Sequence, residues 1–168
     1  MNTHRKDIGS SESLQKVLNK RITIYGAYFP KTELQRLKNL RKFLKKKDLK
    51  RVSLVMNYPR SFFKFPYIEG EDEYIYEKSM YCVEKSDLNV FIYTYEGRLE
   101  GETVELIYAI DHKKDFLTFV ETGETLPACS RIITGRLDKL GIRYFPFPKK
   151  DDKYLQDAVY HRIFDFFI

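Results

Sequence analysis

Cysteine and histidine, the usual makers of covalent staples and metal sites, are scarce in this chain. Of 168 residues two are cysteine, Cys82 and Cys129, in separate segments, and three are histidine. No CxxC pair occurs. That pattern excludes a disulfide framework and a zinc site, and no metal or cofactor is expected. Both thiols read as free buried groups in a reducing cytoplasm. No apolar run approaches the ~20 residues that span a bilayer, so no membrane partner is expected. The opening stretch, MNTHRKDIGSSESLQK, has no apolar core of signal-peptide type, so secretion is not expected. Also missing are GxGxxG after the first strand, GxxxxGK and GxSxG. Their absence speaks against a dinucleotide dehydrogenase, a P-loop triphosphatase and a hydrolase with a nucleophile elbow. His4, His112 and His161 sit far from any plausible nucleophile.

What remains is the composition of an ordinary folded domain. Apolar residues make up 43% and charged residues 32%, which separates the chain from disordered sequences. A chain of this length fits one domain. It buries roughly 70% of the surface its unfolded form exposes. The net charge is +6, which permits acidic ligands without specifying them. Much of the excess lies in residues 31–51, where Leu34, Leu37, Leu40 and Leu44 recur at helical spacing. The segment reads as an amphipathic helix with its cations turned outward. A solvated face is preferred there to a nucleic-acid groove, since no nucleic-acid motif accompanies it. Nucleic acid is therefore not expected as a partner.

Apolar runs of strand length occupy 21–29, 51–59, 88–95, 115–123 and 142–148, and helical patterns separate them. Pro30 suits the first turn of the basic helix, and Gly141 suits the end of the helix at 125–141. The run 88–95 is apolar throughout, as in a strand covered on both faces. Tyr76, Met80 and Val83 mark the inner face of a helix over 73–87, with Ile75 and Cys82 beside them. Residues 60–73 read as a long surface loop. Residues 1–20 read as a polar extension, frayed or loosely helical, which leaves 21–168 as a single domain. The alternation predicts a doubly wound, three-layer α/β domain. Its five-stranded, mainly parallel sheet has order 2-1-3-4-5. Phe164, Phe166, Phe167 and Ile168 fit a core or dimer face better than an exposed tail.

In such a sheet ligands bind outside the carboxyl ends of the strands, where the strand order reverses. Two segments converge there: Tyr25-Gly26-Ala27-Tyr28-Phe29 after strand 1, and Glu96 to Glu105 after strand 3. Gly26 permits a tight turn and close backbone approach. Glu96, Glu100, Glu102 and Glu105 crowd a loop and first helical turn around Gly97 and Gly101. Some of that acidity is ordinary capping. Glu105, one turn in, leans back toward the strand ends because helical side chains point toward the N-terminus. A carboxylate there is placed to attack or stabilise an electron-poor carbon.

The segments ITIYGAYF, DLNVFIYT and GETVELIYA resemble the nucleoside 2-deoxyribosyltransferases and their relatives, which include nucleotide N-glycosidases and TIR-type NAD-cleaving domains. The likeness runs across residues 21–130, and its specific part is Gly101 to Ala109. It implies that Glu105 is the nucleophile at an N-glycosidic bond and that Tyr25 holds it in place. It implies further that Asp87, ahead of strand 3, belongs to the substrate site. Gly26, Tyr28, Glu100, Gly101 and Glu102 complete the candidate set, with Glu102 or Glu100 as the acid for the leaving base. The resemblance also implies a homo-oligomer, since family members complete their sites across subunits. Three family positions differ: Leu99 stands for a carboxylate, Ser79 for an aspartate, and Cys129 near an asparagine. The reading that follows is an enzyme that cleaves or transfers at the N-glycosidic bond of a small nucleoside or nucleotide. Two alternatives stay open: a non-catalytic module that senses a nucleotide or second messenger in the same crevice, and an interaction protein using its basic helix and aromatic C-terminus.

Overall fold

The computed structural model describes residues 11–57, 71–98, 100–123 and 128–168. Five strands, β1 (Ile22–Gly26), β2 (Val52–Leu54), β3 (Leu88–Tyr93), β4 (Phe116–Thr122) and β5 (Phe145–Pro148), form one sheet in the order β2-β1-β3-β4-β5. Every neighbouring pair is parallel. The six helices are α1 (Ser11–Leu18), α2 (Lys31–Lys46), α3 (Glu71–Lys85), α4 (Glu100–Asp111), α5 (Ala128–Lys139) and α6 (Asp152–Phe167). The doubly wound three-layer architecture read from the sequence is the one observed. The strands are shorter than the apolar runs that announced them. Those runs continue into turns, as where Val55–Asn57 form a 3-10 turn after β2.

Two apolar layers follow from the period of two along each strand. Ile22, Ile24, Val90, Ile92 and Phe119 face a core closed by Val17, Leu37, Leu40, Leu44, Leu155, Val159 and Ile163 from α1, α2 and α6. Tyr25, Phe91, Tyr93 and Val120 face the other side, against Cys82, Val83, Leu106, Ala109, Ile133 and Leu137. The central strands have no solvent face, which is why β3 carries no alternation. The prolines of β5, Pro146 and Pro148, sit on an edge strand, where a missing ladder donor is tolerated.

Several local expectations need adjustment. The second half of the N-terminal extension is helical, and Val17 and Leu18 are buried in the core. Pro30 is the N-cap of α2, one residue before the first turn, and follows a cis peptide. Ile75 and Tyr76 stand half out of the protein, while Ser79, Met80, Cys82 and Val83 form the inner face of α3. Gly141 adopts φ +67° just past α5, as a helix-ending glycine does. Phe164 and Phe167 pack on the core, whereas Phe166 and Ile168 are exposed. Most of the loop read over 60–73 lies outside the described residues. No described helix is long and apolar enough to cross a membrane.

Candidate functional site

Helix α4 begins just past the carboxyl end of β3 and packs on β1 and β3, where the strand order reverses. Glu105 lies in its second turn, half-buried. Its carboxylate accepts a hydrogen bond from the Ser79 hydroxyl of α3. Burial pushes the Glu105 carboxyl up to about 7, against a smaller downward pull from Ser79. Desolvation penalises the charged form, so this acid exchanges its proton near neutrality.

The phenol that feels the Glu105 charge belongs to Tyr28. Tyr28 follows β1, and its hydroxyl accepts from the Met56 backbone N–H at 3.4 Å. Burial is the main cause that pushes the Tyr28 phenol up to about 12, and the Glu105 charge adds to it. The residue as a whole remains 39% exposed. Below Glu105 lies the fully buried Cys82 thiol, pushed up to about 12 chiefly by burial. It is a neutral core group, as its scarcity in the sequence suggested.

Tyr25 is disposed differently from its expected role. Its side chain is buried on the α4 side and stacks on Phe91 with ring centroids 4.7 Å apart. Its hydroxyl donates to Asn89 Oδ1 at 2.7 Å. Asn89 pairs with Thr23 in the ladder, two residues back toward the amino end of the sheet. A phenol has one proton, and here Asn89 takes it rather than Glu105. Asn89 in turn donates to the carbonyls of Val83 and Asp115. The pair thus ties β1, α3 and the turn before β4 together.

The other candidates divide between the crevice and elsewhere. Glu102 is buried in the first turn of α4, one helical turn before Glu105. Gly101 is exposed with open space where a Cβ would stand. Glu100 opens the helix, but its side chain lies outside what is described, as do Leu99 and the Cys129 side chain. Gly26 ends β1, yet a Cβ there would meet Leu37 Cδ2 at 2.7 Å. Its glycine is needed for close packing of α2 on the sheet, not for a turn that receives a ligand. Asp87 is not brought to the site. It precedes β3 at the amino end of the sheet, where its carboxylate accepts the Arg21 N–H at 2.7 Å. The six residues of β3 put roughly 20 Å between that end and the crevice.

Two features escaped the sequence reading. Thr94, just past β3, buries its Oγ1 with no hydrogen-bond partner among the described residues. Beyond it a 280 Å³ cleft is lined by Thr32, Glu33, Arg36, Glu96, Glu121, Lys150 and Asp152. Arg36 bonds Glu121 at 2.5 Å, Asp152 at 2.7 Å and Glu33 at 3.3 Å. Burial pushes the Glu121 carboxyl up. Arg36 and the N–H groups of Tyr95 and Lys150 outweigh it and hold the acid below its ordinary value. Nothing in the sequence reading singled out this knot, whose partners come from α2, β4 and α6. Among the described residues no group of three or more His, Cys, Asp or Glu is placed to hold a metal ion.

No protein-family model matches the sequence, and no curated protein matches it either. The fold is similar to the solved structure of the CMP N-glycosidase BcmB of Clostridium botulinum, with a TM-score of 0.54 and 13% identity. The match covers 83% of this chain and 98% of that one. At that identity the likeness establishes the shared fold.

Proposed function

We propose that this protein cleaves the N-glycosidic bond of a small nucleoside or nucleotide, with Glu105 as the nucleophile. The observation that carries the reading is Glu105 itself. It is a half-buried carboxylate at the switch point of the sheet, hydrogen-bonded by Ser79 and titrating near neutrality. The fold it stands on is similar to that of a CMP N-glycosidase, and the Gly101 to Ala109 segment resembles the family's nucleophile helix.

The chemistry is consistent with those parts. Breaking a C–N glycosidic bond builds positive charge at the anomeric carbon, and a carboxylate within ~3 Å can trap it as an ester. The bonding electron pair leaves with the base, which must be protonated. Glu102, at i−3 on the same helix face, is the candidate acid. Water then hydrolyses the ester, or a second base accepts the sugar. Ser79, which stands where the family carries an aspartate, keeps Glu105 oriented without adding a second charge. Tyr28 takes the place first assigned to Tyr25 as the phenol beside the nucleophile, an exposed residue whose ring can stack on a base. We also propose a homo-oligomer. Ile75, Tyr76, Val104 and Ile107 leave an apolar strip exposed on α3 and α4, which pack on each other.

The test is release of free base from a panel of ribo- and deoxyribonucleosides and their monophosphates, followed by chromatography. Wild type should release base from at least one member, and Glu105→Gln should lower that rate by several orders of magnitude. Binding without turnover would replace the enzyme with a sensing module. Turnover that survives Glu105→Gln would remove Glu105 from the chemistry.

A further inference from the structure

Residues Lys38, Arg41, Lys42, Lys45 and Lys46 recur at steps of three and one along α2, so they form one stripe. The stripe is about 12 Å long at 1.5 Å per residue. With Met56 and Asn57 of the 3-10 turn after β2, these five line an open groove of 650 Å³ beside the edge strand. Between Leu34 and Lys47 the helix carries no acidic residue. None of the five cations has a carboxylate partner among the described residues, and Arg41 Nε instead donates to the Val52 carbonyl at 3.1 Å. Like charges at i, i+4 oppose one another. A surface serving solubility alone intersperses both signs.

Met56 joins this groove to the candidate site. Its side chain lines the groove and is 46% exposed, while its backbone N–H meets the Tyr28 hydroxyl beside Glu105. Next to Tyr28, Phe29 is 57% exposed with the Arg98 guanidinium 4.6 Å from its ring centroid. A cationic track leading to exposed aromatic residues is the arrangement that holds single-stranded nucleic acid. The cations follow the phosphates and the rings stack the bases. An unwound strand spaces its phosphates at roughly twice the ~3.4 Å axial rise of the duplex, so a 12 Å track matches about three of them.

We infer that the α2 groove binds single-stranded nucleic acid, whose terminal nucleotide reaches the Tyr28–Glu105 crevice. The inference goes beyond the proposed function, extending its substrate from a small nucleotide to the terminal nucleotide of a strand, and rests on that reading only where the strand meets Glu105. The sequence favoured a solvated face for these cations. Their alignment along one groove that shares Met56 with the site is what the sequence did not reveal.

The experiment measures fluorescence anisotropy of a labelled mixed-sequence 12-nucleotide strand at 50, 100 and 200 mM KCl. About three phosphate contacts give a log–log salt slope of about −2. Binding should weaken roughly 20-fold across that range. Lys42→Glu/Lys45→Glu/Lys46→Glu should lose at least tenfold in affinity and flatten the slope. Lys45→Gln/Lys46→Gln, a milder change with circular dichroism as a fold check, should move both readouts in the same direction. Unchanged binding in both lysine variants overturns the inference. So does tighter binding of the matching duplex, or retention on phosphatidylserine vesicles with no strand bound. Strand binding without base release from any substrate would support the groove while removing the catalytic reading. Base release from mononucleotides with no strand binding would do the reverse.

Discussion

At the residue scale, Tyr25 and Glu105 show how one motif can split between structure and chemistry. Tyr25 was legible as a site residue because it ends an apolar strand. Only the ladder register reveals that its hydroxyl runs back to Asn89. Tyr25→Phe should cost about 1–2 kcal/mol in urea unfolding, because Asn89 Oδ1 is left buried without its donor. Base release should change little; a loss of several orders of magnitude would restore Tyr25 to the chemistry. Helical geometry predicted only that the Glu105 side chain leans toward the strand ends, the family resemblance implied its role, and its environment was not legible. Ser79 bears on it from α3, and Tyr28, past β1, feels its charge. Its folded-state acid strength is weakened from the ordinary 4.5 to about 7. The stability linked to its neutral form is therefore present below pH 4.5 and is lost as pH rises through 7. Glu105→Gln should stabilise the fold by about 2–3 kcal/mol at pH 8.5 and change it little at pH 4. Equal effects at both values would mean that the carboxylate is not desolvated.

At the scale of elements, strand and helix order could be read because covered parallel strands are apolar runs and the helices between them keep a 3.6 period. The boundaries could not, since the same runs continue into turns past Gly26 and Leu54. Asp87 misled for a different reason. Its place ahead of a parallel strand already put it at the amino end of the sheet, opposite the crevice, and only the resemblance had assigned it to the site. The Arg36 knot was invisible because its partners come from α2, β4 and α6, far apart in sequence. It fastens both sequence-distant helices to the carboxyl end of β4. Glu121→Ala should destabilise the protein by about 3–5 kcal/mol, by leaving a largely buried guanidinium without its main partner. Its acid is held below the ordinary value in the folded state. The pair's contribution is thus present at neutral pH and is lost as pH falls through that lowered value. A cost under 1 kcal/mol in chemical denaturation at pH 7 would reduce the knot to a surface ornament.

At the scale of the whole molecule, the alternation of elements identified a doubly wound three-layer α/β fold, and the parallel sheet bears that out. Assembly is another matter, since a single chain's sequence does not distinguish a core face from an interface. Tyr76 had the spacing of a core residue, with Ile75 flanking it, yet both stand exposed. If α3 and α4 meet a second copy, light scattering at micromolar concentration should give at least a dimer. Ile107→Asp should then shift it toward monomer. A wild-type monomer at that concentration would assign the exposed strip another role.

The account turns on Glu105 acting as an ionised nucleophile whose proton affinity is set by burial and Ser79. The pH dependence of kcat/KM for base release reads that affinity in the free enzyme. Between pH 5 and 9 the wild-type rate should rise through an inflection near 7 and level off. Ser79→Ala, by removing a hydrogen bond that favours the carboxylate, should move that inflection to higher pH. A profile that is flat across this range, or that falls as Glu105 ionises, would contradict the central claim.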